Sequence, residues 1–232
     1  MPESLHPDVR ALPLFSQIAE DSFQTLMRGA YVQNFPPHVE LIVEGETSDF
    51  LHILLSGTVE LFARWNRRET TMALVRPVST FILAATVKDA PYLMSARTVD
   101  KCRIAMIPSE DVRDVFDQDA VFARAVVTEL AQCYRSVVRA QKDLKLRSSL
   151  ERLANFLLRR QRGCGGAAEF ELGMEKRKLA HLLGMTPENL SRAFRALAPY
   201  GVRVEGERIA IDDQPALERF AKPDPLIDAP DA

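Results

Sequence analysis

The sequence predicts an α+β protein in three parts. An N-terminal antiparallel β-roll or jelly roll occupies 1–108, a long helix 109–147, and a winged helix-turn-helix 148–220, with 221–232 read as a Pro/Asp-rich disordered tail. Three observations carry this. Between Tyr31 and Ile107, short apolar runs alternate with Gly, Pro and Asp/Asn turns, as in "LHILLSGTVELFARW" and "RIAMI"; several short strands at this spacing make a small barrel or sandwich. After Pro108 the texture becomes helical and stays so to Leu146. Beyond it, "KRKLAHLLGMTPENLSRAFRAL" carries the apolar spacing of two short helices joined by a glycine turn.

In the strand region, Gly45 and Gly57 sit where apolar runs turn, the place for a backbone that only glycine adopts cheaply. The helix after Pro108 is expected to run from about Ser109 to Leu146 with a break near Asp117. Along it Ala123, Val126, Leu130, Cys133, Val137, Ala140 and Leu144 alternate three and four residues apart. That narrow stripe is the seam of two helices wound together, so a parallel homodimer is expected. A helix lying on its own barrel is the competing reading. Cys133 reads as a small seam residue.

The next helix is expected over Leu150–Arg160, followed by the glycine-rich loop "GCGGAAE". In the helix-turn-helix, Leu179, Leu183, Met185, Leu190 and Ala193 face the packing side, Ala180 is small at the crossing, and Gly184 makes the turn. Thr186 caps the second helix and Pro187 suits its first turn. Glu188, Ser191, Arg192 and Arg195 then fall at i, i+3, i+4 and i+7, one face at the end of the helix that enters a major groove. Arg bonds guanine in bidentate fashion, Glu accepts from cytosine, and Ser is permissive. The strands of "VRVEGERIAI" form a wing, with Arg203 or Arg208 near the phosphates. The segment from Arg147 to Arg219 holds 13 Lys/Arg against 10 Asp/Glu within a chain of net charge −2, a local bias compatible with double-stranded DNA.

Composition narrows the remaining classes. Of the residues 47% are apolar, enough for a sizeable core, yet no apolar run nears the ~20 residues of a membrane span. The N-terminus has no signal-peptide pattern. Three widely spaced cysteines, Cys102, Cys133 and Cys164, argue for a reducing cytoplasm rather than a disulfide framework. Cys164, in its glycine loop, is a candidate redox-modified thiol. No P-loop, HExxH or Ser-His-Asp signature is present, so an enzyme is not expected. Besides a DNA-binding regulator, a ligand-binding module acting through protein contacts stays open.

The order of barrel, long helix and winged helix-turn-helix resembles the CRP/FNR family of bacterial transcription regulators from about Leu14 to Phe220. "IVEGETSDFLHILLSGTVELF" is similar to the family's sensor barrel, and "ENLSR" to the E-x-x-S-R signature of its FNR branch. The resemblance implies that Glu188, Ser191 and Arg192, with Arg195 and Thr186 beside them, read a TTGAT-type half-site. The second subunit would read the inverted copy one turn away, roughly 34 Å. RNA polymerase is the implied partner, with no membrane involved.

The signal departs from the familiar ones. Where cyclic-AMP binders carry Gly-Glu and then Arg-Ser, this chain has Leu83-Ala84 and Met94-Ser95. A cyclic phosphate would lose its charged partner, Arg97 being three residues off register, so a cyclic nucleotide is not expected. With no cysteine before Cys102, four-thiolate ligation of an iron–sulfur cluster is excluded. The remaining resemblance is to DNR/NnrR-like regulators, associated with nitric oxide and in some members with haem. It implies an apolar effector pocket at Phe81, Leu83, Ala84, Met94 and Ser95. Candidate haem ligands are His6, His38 and His52, with Cys102 or Met94 as softer alternatives. A regulator with no small-molecule effector is the remaining option.

Overall fold

The structure, a computed structural model, describes residues 6–229, with the side chain of His6 outside that description. The chain divides into two compact units, Met1–Gln132 and Cys133–Ala232.

The first unit opens with two helices, α1 (His6–Arg10) and α2 (Glu20–Gly29), which the sequence analysis did not assign. Eight strands follow: β1 (Tyr31–Phe35), β2 (Glu40–Ile42), β3 (Phe50–Ser56), β4 (Val59–Trp65), β5 (Arg68–Val75), β6 (Ser79–Phe81), β7 (Ser95–Thr98) and β8 (Cys102–Pro108). They form two antiparallel four-stranded sheets, β1-β8-β3-β6 and β2-β7-β4-β5. A short helix, α3 (Leu83–Lys88), links β6 towards β7.

Alternation along β3 and β8 builds two cores. Leu51, Ile53, Ala105 and Ile107 point to the helices, where Phe15, Phe23, Leu26 and Phe122 cover them. Leu54, Ile104 and Met106 point the other way, to Val59, Phe81 and Ala96 between the sheets. Gly57 turns β3 into β4 at φ 91°, and a Cβ there would lie 2.6 Å from the Lys101 carbonyl, so only glycine fits.

The expected long helix is two. α4 (Ser109–Gln118) ends and α5 (Ala120–Leu146) begins around Asp119, two residues beyond the expected break. The Asp119 carboxylate accepts from the Val121 and Phe122 amides at 2.9 and 3.1 Å, capping α5 as a new helix.

The second unit contains α6 (Ser149–Gly163), β9 (Glu169–Glu171), α7 (Lys176–Leu182), α8 (Pro187–Ala196), β10 (Val202–Glu205), β11 (Arg208–Ile211), α9 (Gln214–Ala221) and α10 (Pro225–Asp228). Ser148 and Glu151 form a reciprocal capping box that starts α6. The wing is a three-stranded sheet, β10-β11-β9, one strand more than expected. The expected disordered tail is a correction. Residues 225–228 are helical, and Asp228 is buried against Arg147 and Arg159; residues 230–232 lie outside the described part. An ion pair, rather than apolar content, orders this segment, which is why a composition argument missed it.

Candidate nucleic-acid interface and ligand cleft

α7 and α8 pack through Leu179, Ala180, Leu183, Leu190 and Ala193, all buried, with Met185 half-buried at the turn. Gly184 holds the turn at φ 61°, and the Gly184 and Met185 amides donate to His181 and Ala180 at 2.9 Å. Thr186 caps α8, its hydroxyl accepting from the Asn189 amide at 3.2 Å.

With one side of α8 buried, Glu188, Ser191, Arg192 and Arg195 all stand exposed, as their spacing predicts. The Ser191 hydroxyl donates back to the Pro187 carbonyl at 3.0 Å, which fixes its rotamer while leaving its lone pairs outward. The Glu188 carboxyl is held below the usual range, first by its own backbone amide, then by the Thr186 hydroxyl, with the Arg192 charge adding to them. It is therefore an acceptor at neutral pH.

One buried side chain that sequence reasoning passed over supports this motif. Arg152 donates from Nε to the Leu183 carbonyl at 2.9 Å and from Nη1 to the Arg147 carbonyl at 2.7 Å. It thereby satisfies carbonyls at the helix-turn-helix turn and at the end of α5 together. A charged residue inside an apolar helical run was the available signal.

The wing distinguishes the two expected arginines. Arg203 is held by Asp212 at 3.2 Å and Glu205 at 2.9 Å, with Glu169 at 3.7 Å. Its pKa is raised, chiefly by Asp212 and then by Glu205. These exposed carboxylates engage its guanidinium in the DNA-free protein. Arg208, exposed at the start of β11, is hydrogen-bonded to no carboxylate among the described residues.

The α5 seam is divided. Val126 is fully buried in the first unit's own core, and Leu130 packs against the same cluster. Ala123 is half-buried, whereas Cys133, Val137, Ala140 and Leu144 are exposed. The large exposed apolar residues of α5 are Val121, Val127, Tyr134, Val137, Val138, Leu144 and Leu146. Val126 and Leu130 are thus committed to the barrel-side core, while Cys133, Val137, Ala140 and Leu144 keep the exposure that a seam requires. The expected stripe is therefore free only in its C-terminal half, because the first turns of α5 pack on the barrel.

In the first unit, an apolar cleft of about 410 Å³ is lined by Leu61, Ile82, Ala84, Ala85, Lys88, Ala90, Pro91, Leu93 and Met94. Of the five expected pocket residues, only Ala84 and Met94 line it. Phe81 is buried between the sheets, Leu83 is buried in the helix-side core, and the buried Ser95 hydroxyl accepts from the Glu44 amide at 3.0 Å. Ile82 takes the left-handed conformation, φ 63°, that glycine would adopt more cheaply. Arg97 is bound to Glu60 at 2.9 Å and Glu69 at 2.7 Å and lies over the Phe62 ring, so it offers nothing to a phosphate in the cleft.

The residues that line this cleft do not fit haem. No histidine or cysteine lines the cleft, and Met94 is its single soft donor. His38 is exposed in a turn, while the side chain of His6 lies outside the described residues. His52 is buried in β3, stacked on Phe81 at 5.2 Å, with Nδ1 lacking a partner. Cys102 is buried and donates to the Thr58 carbonyl; burial pushes its thiol up. Among the described residues no three His, Cys, Asp or Glu side chains cluster as a metal site, and no helix is long and apolar enough to cross a membrane.

Comparison with known proteins agrees with this arrangement. A cyclic nucleotide-binding domain matches residues 32–119 and a Crp-like helix-turn-helix domain residues 151–220. The chain is 24% identical over 215 residues to a CRP-like cAMP-activated global transcriptional regulator of Mycobacterium tuberculosis, covering 90% of this chain and 96% of that one. FixK2 from Bradyrhizobium japonicum shares the fold with a TM-score of 0.70 at 21% identity, over 88% of this chain and 99% of that one. A CooA variant from Carboxydothermus hydrogenoformans does so with a TM-score of 0.69 at 16% identity, over 84% and 89%. Carrying both domains in this order, the chain belongs to the CRP/FNR family and is a DNA-binding transcription regulator with a cyclic-nucleotide-binding-like sensor domain.

Proposed function

We propose that the protein is a cytoplasmic homodimer that reads a near-palindromic, TTGAT-like site and regulates transcription through RNA polymerase. The observation that carries this is the face of α8. Glu188, Ser191, Arg192 and Arg195 are exposed together, with Leu190 and Ala193 locking the opposite side. A plain phosphate-binding surface has no use for a carboxylate at its centre, whereas base reading does. The exposed apolar stripe of α5 supports the dimer, since a two-fold axis is what an inverted repeat requires.

Control enters through the first unit. The cleft beside α3 is apolar and Arg97 is neutralised, so the signal is an apolar molecule rather than cyclic AMP or haem-bound nitric oxide. The ligand acts by binding the DNA-competent state more tightly than the other, because equal affinity shifts nothing.

Fluorescence anisotropy with a TTGAT-containing inverted repeat, and with every single-base variant of one half-site, tests the reading. Saturable binding with a penalty of about 1–3 kcal/mol per critical base is expected. Equal affinity for all duplexes would overturn it.

A further inference from the structure

We propose that the cleft beside α3 binds a medium-chain monocarboxylic acid, its hydrocarbon body on the apolar walls and its carboxylate on Lys88. This rests on the reading of the first unit as the sensor and names the chemical class that it senses.

The walls set the body of the ligand. Leu61, Ile82, Ala84, Ala85, Ala90, Pro91, Leu93 and Met94 contribute hydrocarbon, and the volume of about 410 Å³ lies within the range of small-molecule sites. Leu93 stands 83% exposed at this edge, a large apolar side chain with nothing of its own unit over it. A ligand lying along the cleft would take it out of water, and that burial is the driving force.

The polar inventory sets the head group. Lys88, at the last turn of α3, is the one charged residue in the lining. Asp89, its neighbour, is turned away to Arg113 at 3.1 Å, so it does not neutralise Lys88. The nearby Ser95 hydroxyl is buried and already accepts from the Glu44 amide, and Arg97 is held by two glutamates. A sugar or nucleobase would find only the Lys88 ammonium among the lining side chains to replace its lost water, which disfavours polar ligands. One cation at the edge of a hydrocarbon surface matches one anion at the end of a hydrocarbon chain.

Isothermal titration calorimetry of the full-length protein with hexanoate, octanoate and decanoate, and with 1-octanol, tests this below micelle-forming concentrations. Affinity should rise about fourfold per added methylene, the ratio that burying one CH₂ gives. Octanoate should bind more tightly than octanol, and Lys88→Met should erase that preference while octanol binding persists. Ala84→Trp should fill the cleft and abolish binding of both at an unchanged melting temperature. The proposal is overturned if no acid gives a saturable heat, if affinity ignores chain length, or if binding survives Ala84→Trp. Duplex binding by the same preparation, measured without acid, separates the two readings. If DNA binds and no acid does, this inference fails alone; if no duplex binds, the regulator reading fails.

Discussion

Arg147, just past the end of α5, and Asp228, at the end of α10, form a two-pronged ion pair with N–O distances of 2.9 and 2.5 Å. Arg159 on α6 bonds the same carboxylate, and Asp143 bonds Arg147 from one turn back at 2.9 Å. Asp228 is 3% exposed. The C-terminal helix thus staples the end of α5 to α6. Removing one member of a buried pair strands the others, so Asp228→Ala should cost about 3 kcal/mol in a denaturation titration. Burial alone would raise the Asp228 carboxyl, but the Arg147 hydrogen bonds outweigh it and hold the group below the usual range. Its contribution is present above the unfolded value of about 4 and is lost as pH falls through the lower folded value. The stability gap between the native protein and Asp228→Asn should therefore narrow below about pH 4; a gap that ignores pH would contradict the pairing.

His52 gives a second pH dependence at a higher pH. Burial between the sheets lowers its pKa from 6.5 to about 4, against a smaller raising effect of the nearby Phe50 backbone. The folded protein then holds a neutral imidazole where the unfolded chain takes up a proton. Its stability contribution is full above about pH 6.5 and falls away as pH drops towards 4, by about 3 kcal/mol in all. Thermal unfolding of His52→Phe should show a shallower loss over that window. Parallel curves for the variant and the native protein would mean that His52 is protonated in the folded state.

The arginines of the second unit should separate by task. Arg192→Ala should lose about 1–3 kcal/mol on the best site and relax discrimination at one base pair. Arg208→Ala should weaken all duplexes alike and lower the slope of affinity against salt by about one. Arg203→Ala should leave that slope unchanged, because Asp212 and Glu205 already neutralise the guanidinium. Binding isotherms at four salt concentrations distinguish the three. A reduced slope for Arg203→Ala would show that the wing rearranges on DNA.

On α5, burial predicts opposite phenotypes for two valines. Val137 is 59% exposed and Val126 fully buried. Val137→Glu should yield a folded monomer in sedimentation experiments, with duplex affinity lost because half-sites are no longer read in pairs. Val126→Ala should remain dimeric but lose about 2 kcal/mol of stability through the cavity it leaves in the barrel-side core. A dimeric Val137→Glu protein would move the interface elsewhere.

These contrasts mark what the sequence could reveal. The exposed polar face of α8 was legible because helical period, cap and glycine turn all act within a dozen residues. The α5 stripe was legible as a period, but the fate of its first members was not: Val126 and Val127 are chemically alike, and only the barrel decides which one turns inward. Arg203 and Arg208 likewise look equivalent along the chain, and pairing across the wing separates them. Asp228 shows the same lesson from the other side. Long-range ion pairs from Arg147 and Arg159 to one carboxylate order a segment whose composition resembles a solvated tail. The cleft was legible as a loss of the phosphate-binding charge at Met94, while its walls depended on how α3 lies.

Gly184 provides a test of the turn itself. Its φ of 61° costs an L-residue roughly 1–2 kcal/mol, and a Cβ there would approach Leu144 Cδ1 to 2.8 Å. That contact is with the end of a flexible side chain, which can swing aside, so backbone strain is the larger effect. Gly184→Ala should therefore lose about 1–2 kcal/mol of stability, and Gly184→Asn distinctly less, because asparagine tolerates the left-handed region. Adding Leu144→Ala to Gly184→Ala should recover little. Full recovery in the double variant, measured by urea titration, would show that the contact rather than the backbone makes glycine necessary at the turn before α8.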